Sequence, residues 1–137
     1  MKRIAVISDI HGNLEATQAV LADIKKRGIS DIYCLGDLVT KGSHPNECID
    51  LIKSHCQVVL RGNTDRFISD VHDESTLNDL AKKRIEWNRS LLSQENLLYL
   101  KSLPFSYEFY MSGKLVRLFH ASPLKDDLAI SHLDPLS

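Results

Sequence analysis

The chain has 137 residues, of which 43% are hydrophobic, so it fits one globular domain with a buried core. Its 17 basic and 18 acidic residues nearly cancel, which argues against nucleic acid or an anionic membrane as a partner. The apolar run that begins after Arg3 stops at Ser8, which is too short for a signal peptide. No stretch approaches the ~20 apolar residues of a membrane-spanning helix.

The cysteines give an indication of the cellular compartment. Cys34, Cys48 and Cys56 lack the C-x-x-C spacing of a zinc or redox site. We expect reduced, mostly buried thiols in a reducing compartment, and therefore a cytoplasmic protein.

The first half of the chain predicts alternating strands and helices. Arg3–Ser8 is a near-continuous apolar run, typical of a strand buried on both faces, and Asp31–Leu35 and Gln57–Leu60 are predicted to be the second and third strands. The first helix is predicted between a cap at Asn13 and an end at Gly28, and the second opens at Pro45. The β-α-β-α-β order predicts a parallel sheet with right-handed crossovers.

The second half predicts helices followed by a hairpin. The pattern is helical from Ser75 to about Leu100, with a break near Ser93 and a stop at Pro104. We expect Trp87, inside this region, to be a core residue rather than a base-stacking platform. The segments Ser106–Met111 and Lys114–His120 flank Ser112-Gly113, a loop typical of a β-hairpin. The expected fold class is a layered α/β sandwich.

Side chains that can bind metals follow four of these predicted strands. Asp9 and His11 follow the first, Asp37 the second, Asn63 the third, and His120 the last strand of the hairpin. Each alone would more often be a cap or turn residue. Function gathers at the carboxyl ends of parallel strands, and hard oxygen ligands mixed with imidazole suit divalent metal ions. Together the five residues predict a metal site.

Three further polar residues are candidates for binding the substrate. The helix that begins at Asn13 directs free N–H groups toward an anion at this edge of the sheet. Arg61 and Arg66, beside the loop after the third strand, are candidate phosphate clamps, although exposed arginines near a loop are more often only solvated.

One segment repeats the lettering of the first candidate motif. Residues 68–72 read Ile-Ser-Asp-Val-His, as residues 7–11 read Ile-Ser-Asp-Ile-His, but no comparable strand precedes them. We expect Asp70 and His72 to be solvated loop residues, with a smaller chance of bordering the substrate. Three other histidines lack a second ligand nearby and are expected at the surface: His44, His55 and His132.

The ordered set of motifs resembles the signature of the calcineurin-like metallophosphoesterases, particularly small bacterial and archaeal phosphodiesterases. It consists of Asp9-x-His11, Gly36-Asp37, Gly62-Asn63-x-Asp65 and His120. The resemblance implies a two-metal hydrolase, with Mn²⁺ first and Fe, Zn, Ni or Mg as alternatives. Asp9 and His11 would bind the first metal and Asp37 would bridge both. Asn63 and His120 would bind the second, and a water with a lowered pKa would attack phosphorus.

By the same resemblance, Asp37, Asn63 and His120 would be the catalytic residues. The substrate would be a small phosphodiester or nucleotide. This interpretation predicts no membrane partner, and nucleic acid is disfavoured by the near-neutral charge.

Two departures from the family pattern affect this interpretation. Thr64 stands where the family usually has a histidine that assists the leaving group, and a threonine cannot act as an acid at neutral pH. No later Gly-His-x-His motif follows before Ser137, so residues 1–137 are expected to form the N-terminal part of one metallophosphoesterase domain.

The second sheet of such a domain would be largely missing. We therefore expect weaker metal binding and an exposed sheet face that favours a homo-oligomer. The alternative function is an impaired or inactive remnant of the fold, with a role in binding or oligomerisation.

Overall fold

A computed structural model describes residues 1–70, 77–128 and 130–131. The elements in chain order are β1 (Ala5–Ile7), α1 (Leu14–Lys26), β2 (Ile32–Cys34), α2 (Pro45–His55), β3 (Val58–Val59), α3 (Asn63–Ser69), α4 (Asp79–Leu91), α5 (Gln94–Ser102), β4 (Ser106–Met111) and β5 (Lys114–Phe119). The α/β fold class, with a parallel start, helices and a final hairpin, is confirmed.

The first three strands form a parallel sheet in the order β1-β2-β3. Val6 lies opposite Tyr33, and Tyr33 lies opposite Val58. The central strand β2 is buried at all its positions, whereas the prediction that the first strand is buried on both faces is wrong, because Val6 of β1 is exposed. The strands are shorter than predicted because the chain leaves the ladder early to form the loops that carry the polar residues.

Helices cover one face of this sheet and form the main core with it. The buried residues Cys34, Ile49 and Ile52 join strand β2 to helix α2, and Ile85 and Leu100 extend the cluster into α4 and α5. These side chains recur on one face of each helix, and burying that face holds the helices to the sheet.

The predicted ends of α1 are confirmed. The Asn13 side chain accepts a hydrogen bond from the Ala16 N–H at 3.1 Å, which caps the first turn. At the other end Gly28 adopts a φ of +70°, the left-handed conformation that ends many helices.

The hairpin β4–β5 packs against the opposite face of the sheet. The Tyr33 ring stacks on Phe109 with centroids 4.8 Å apart, and Leu60 and Leu118 are buried beside them. The hairpin thus covers part of the face that the sequence predicted to be exposed, while Val6 remains 46% exposed on it. Self-association through this face stays a prediction.

The region between β3 and the hairpin differs from the expectation in two respects. Helix α3 begins directly at Asn63, where the sequence had suggested only a loop, and Asp70 is its C-cap. The prediction that Trp87 is a core residue is wrong, because its side chain is 48% exposed on α4. The break between α4 and α5 is confirmed, since the Ser93 hydroxyl accepts a hydrogen bond from the Asn96 N–H at 3.2 Å.

The remaining sequence predictions concern single residues. His44 and His55 are exposed, whereas His72 and His132 lie outside the described residues. All three cysteines are free thiols, and burial raises the pKa of the Cys56 thiol to about 12. Within the described ranges, no helix combines the length and the apolar character needed to cross a bilayer.

Candidate metal centre

The candidate ligands follow the carboxyl ends of β1, β2, β3 and β5, on loops except for Asn63, which is the first residue of α3. Three of them adopt left-handed backbone conformations, with φ of 59° at Asp9, 49° at His11 and 58° at Asp37. Such conformations cost non-glycine residues roughly 1–2 kcal/mol each. Backbone hydrogen bonds between the loops hold them: Asp9 N–H donates to Gly36 O at 2.9 Å, and His11 N–H donates to Asp37 O at 2.8 Å.

Gly36 of the Gly-Asp motif and Gly62 of the Gly-Asn motif lie where the loops after β2 and β3 approach each other closely. A Cβ at Gly62 would overlap the Asp37 carboxylate, and a Cβ at Gly36 would overlap the Gly62 backbone. Gly36 also has a φ of +105°, which side chains rarely permit. Any larger residue at either position would push the loops after β2 and β3 apart.

The Asp37 carboxylate lies at the centre of the cluster. Its Oδ2 is 3.5 Å from His11 Nε2 and 3.4 Å from His120 Nε2. Asp9 Oδ1 lies 3.2 Å from His11 Nε2, and Asn63 Oδ1 lies 3.1 Å from His120 Nε2. One ligand atom from each of Asp9, Asp37 and His120 falls within 4.8 Å of the others. The structure thus brings all five predicted residues together.

Both histidines are oriented by the backbone. His11 Nδ1 lies 3.0 Å from Val39 O, and His120 Nδ1 lies 2.8 Å from Leu35 O. A carbonyl oxygen can only accept, so Nδ1 carries a proton and donates it in both rings. The two Nε2 atoms therefore face the cluster, in the arrangement that metal-binding histidines commonly have.

The electrostatics of Asp37 and His120 are coupled. Burial alone would raise the pKa of Asp37, but hydrogen bonds from His120 and the Thr64 N–H, with the charge on His120, lower it. The hydrogen bond to Asp37 raises the pKa of His120 to about 9, against the opposing effect of burial. The pair therefore binds a proton tightly at neutral pH. Carboxylate, imidazole and amide donors suit divalent ions of the manganese-to-zinc series, so the residues fit such a cofactor.

Asp65 ties the two central loops together. Its Oδ2 accepts hydrogen bonds from the N–H groups of Asp37 at 2.7 Å and Gly62 at 2.8 Å, and its Oδ1 accepts one from Leu38 at 2.8 Å. The side chain is fully buried, and burial raises its pKa to about 7, although the backbone N–H groups oppose this shift. Asp65 had no predicted role, but an acidic residue three positions after the cap of α3 can accept from the cap N–H, as in one half of a capping box.

The predicted substrate-binding residues occupy different positions. Asn13 uses its side chain oxygen to cap α1. Arg61 is partly buried, and its side chain has no hydrogen-bond or ion-pair partner within the described part of the chain. Arg66 donates from Nε and Nη2 to Asp126 at 2.8 and 2.9 Å, which joins α3 to the segment after His120. This ion pair gives no support to a phosphate clamp at Arg66.

Thr64, where the resemblance implies a histidine, forms two hydrogen bonds within the fold. Its N–H donates to Asp37 Oδ1 at 3.1 Å, and its hydroxyl donates to Val39 O at 3.3 Å. Both bonds hold the β2 loop against the start of α3.

Comparison with known proteins identifies the class to which this fold and this cluster belong. Residues 2–135 match the sequence profile of the calcineurin-like phosphoesterases. The chain belongs to this family of metal-dependent phosphoesterases.

Three similar proteins are considerably longer than this chain. It is 45% identical over 120 residues to the uncharacterized protein MJ0912 of Methanocaldococcus jannaschii, covering 88% of this chain and 49% of that protein. A metallophosphoesterase of Sphaerobacter thermophilus is 33% identical with a TM-score of 0.74, covering 94% of this chain and 51% of the other. The hypothetical protein PH1004 of Pyrococcus horikoshii is 26% identical with a TM-score of 0.83, covering 98% of this chain and 61% of the other. The chain thus spans about half the length of the first two.

Proposed function

We propose that the chain is a phosphoesterase that uses two divalent cations, Mn²⁺ first, to hydrolyse small phosphodiester or nucleotide substrates. Family membership supports the reaction class. The observation that carries the proposal is the convergence of two imidazole Nε2 atoms, from His11 and His120, within 3.5 Å of one oxygen of Asp37. Two histidines oriented toward one buried carboxylate are the geometry expected of a carboxylate shared between two metals.

Each ligand has a distinct role in this proposal. Asp9 and His11 would hold one cation, Asn63 and His120 would hold the other, and Asp37 would serve both. The bound cations supply polarisation of the phosphoryl oxygen and a lowered pKa for the attacking water. The chain's own contribution is orientation, because backbone carbonyls fix both imidazoles and the loop contacts fix Asp37.

Thr64 cannot donate a proton to the leaving group. The Thr64 hydroxyl donates to Val39 O and has no tendency to release a proton at neutral pH. We therefore expect rates to depend strongly on the leaving group's own pKa, so that aryl esters react much faster than alkyl esters. Such dependence would set this chain apart from relatives with a histidine at the same position.

Hydrolysis of bis(p-nitrophenyl) phosphate with added Mn²⁺ tests the proposal. Asp37→Asn should reduce kcat/KM by about 100-fold or more, as expected when one member of a catalytic unit is removed. The matched control is Asp50→Asn, because Asp50 is exposed on α2 and should leave activity near the wild-type level. Titration calorimetry should show two Mn²⁺ ions per chain in the wild type.

The same assay separates the enzyme from the alternative. A well-folded wild-type protein with no turnover under Mn, Fe, Zn, Ni or Mg would overturn the proposal. It would favour the remnant with a binding role instead. Equal activity of Asp37→Asn and the wild type would also overturn it, because hydrolysis would then not depend on the cluster.

We also propose that residues 1–137 form the N-terminal part of a longer metallophosphoesterase domain. The lengths of the similar proteins support this, since the chain covers 49% to 61% of them. Reading the coding sequence beyond Ser137 for an in-frame Gly-His-x-His motif tests it.

The free thiols at Cys34, Cys48 and Cys56 support a cytoplasmic location, which fractionation of the source cells can check.

A further inference from the structure

A cleft of about 1090 Å³ opens beside the candidate metal centre. The ligands Asp9 and His11 line it, and the loop after β2 contributes Lys41, Ser43 and His44 to its wall. Ligand clefts commonly have volumes of about 300–1,000 Å³, so this space can take a molecule of nucleotide size next to the metal ligands.

The loop that carries Lys41 is fixed against the first ligand loop. Gly42 N–H donates to His11 O at 2.7 Å, and His44 N–H donates to Gly12 O at 3.2 Å. A Cβ at Gly42 would overlap the Gly12 backbone, so the two loops are in direct contact. Thr40 N–H donates to the buried Asn88 side chain at 3.1 Å, which anchors the other side of the loop. The wall of the cleft is therefore positioned by the same contacts that position His11.

The side chains along the cleft differ in whether they have a stabilising interaction within the fold. Glu15 lies in the first turn of α1, where the helix dipole stabilises a carboxylate. Lys41 is exposed and forms no ion pair or side-chain hydrogen bond within the described residues. Its φ of +70° is also unfavourable for a lysine. His44 Nδ1 lies 3.0 Å from the Ser43 hydroxyl, and its Nε2 has no partner among the described residues.

We propose that this cleft binds a second phosphate group of the substrate through Lys41 Nζ and His44 Nε2. The preferred substrates are then small molecules that carry another phosphate near the reacting phosphoryl group, as nucleoside diphosphates do. A phosphate suits these partners because its oxygens accept several charge-assisted hydrogen bonds at once. The inference extends the proposed function, because it assigns a substrate class to the same centre.

Equilibrium titration with AMP and ADP at constant free Mn²⁺ tests the inference without requiring turnover. The wild type should bind ADP about tenfold more tightly than AMP, which is the effect of one charge-assisted hydrogen bond. Lys41→Asn should bring the ratio of the two dissociation constants to about one. Asparagine tolerates the left-handed conformation, so this variant is expected to fold. Glu15→Gln should increase the affinity for ADP, because a like charge is removed from the cleft.

Lys26→Ala is the matched control, since Lys26 is an exposed lysine at the far end of α1 and should keep the wild-type ratio. Equal binding of AMP and ADP by the wild type would overturn the inference, and so would an ADP preference that persists in Lys41→Asn. If aryl phosphodiester hydrolysis fails while the ADP preference still depends on Lys41, the proposed function is wrong and the cleft assignment stands.

Discussion

Replacement of Asp65 by asparagine should destabilise the fold, although the two side chains have the same shape. Asp65 Oδ2 accepts two backbone N–H groups and Oδ1 accepts one, all in a fully buried site. In its better orientation an asparagine keeps the oxygen at the Oδ2 position and places its NH₂ against the Leu38 N–H. One buried backbone donor and one buried amide then lose their partners, at about 1–3 kcal/mol each. The neutral amide also relieves the desolvation that raises the Asp65 pKa to about 7, which offsets part of this cost, so we expect a net loss of about 1–2 kcal/mol in the free energy of unfolding.

Urea unfolding followed by circular dichroism, in EDTA at about pH 8, measures this loss. That pH lies above the Asp65 pKa of about 7, so the carboxylate is ionised in the wild type. Asp50→Asn, on the exposed side of α2, should change stability by no more than about 0.5 kcal/mol. If Asp65→Asn were as stable as this control, the three hydrogen bonds would contribute nothing and the argument would fail.

Two further predictions concern the centre itself. In EDTA, the free energy of unfolding should fall as pH rises from about 7 to about 9. Asp37 raises the pKa of His120 from 6.5 to about 9. Over this interval the folded chain therefore keeps a proton that the unfolded chain releases, and raising the pH favours the unfolded chain. His120→Gln should flatten this slope in urea titrations, and a rise in wild-type stability over the same interval would contradict the reasoning. Gly62→Ala should weaken Mn²⁺ binding about tenfold or more by displacing Asp37, measured by calorimetry. Gly113→Ala, with φ +76° and open space around it, should cost about 1–2 kcal/mol of stability and leave Mn²⁺ affinity unchanged.

Local features of the fold were predictable because their physical causes lie within a few residues of sequence. Asn13 and Gly28 delimit α1 by side-chain capping and left-handed backbone. Ser112-Gly113 forms the hairpin turn with φ of 51° and 76°. These positive φ values favour glycine and small polar residues at the two positions. The alternation of short apolar runs with helical segments then predicts the parallel sheet, since few other arrangements bury such strands.

Features that depend on distant partners were not predictable in the same way. Helix α3 has seven residues, too few for an apolar period to be recognised, and its start is fixed by the Asp65 network rather than by its own pattern. Trp87 lies at a helical position where an aromatic residue suggests a core, but its face of α4 is exposed among the described residues. Sequence alone does not show which face of a helix finds a neighbour.

The same distinction applies to the candidate site. The polar residues at the strand ends could be identified from their order, and the structure places Asp9, Asp37 and His120 together. Their orientation could not, because the Leu35 and Val39 carbonyls that hold the imidazoles are main-chain atoms without a side-chain signature. The sequence shows which ligand side chains are present but not which of their atoms face each other in the fold.

Three ligand residues adopt the left-handed backbone conformation, and hydrogen bonds to the loops after β1 and β2 are needed to hold them in it. At roughly 1–2 kcal/mol each, the conformations of Asp9, His11 and Asp37 would relax in an isolated loop. These residues lie on two loops, which backbone hydrogen bonds hold to each other, and the loop of Asp37 is held by Asp65 as well. Because the restraint is mutual, loss of one contact should loosen ligands on more than one loop. Stability and metal affinity should therefore fall together in variants of the shared contacts, whereas exposed positions such as Asp50 should affect neither.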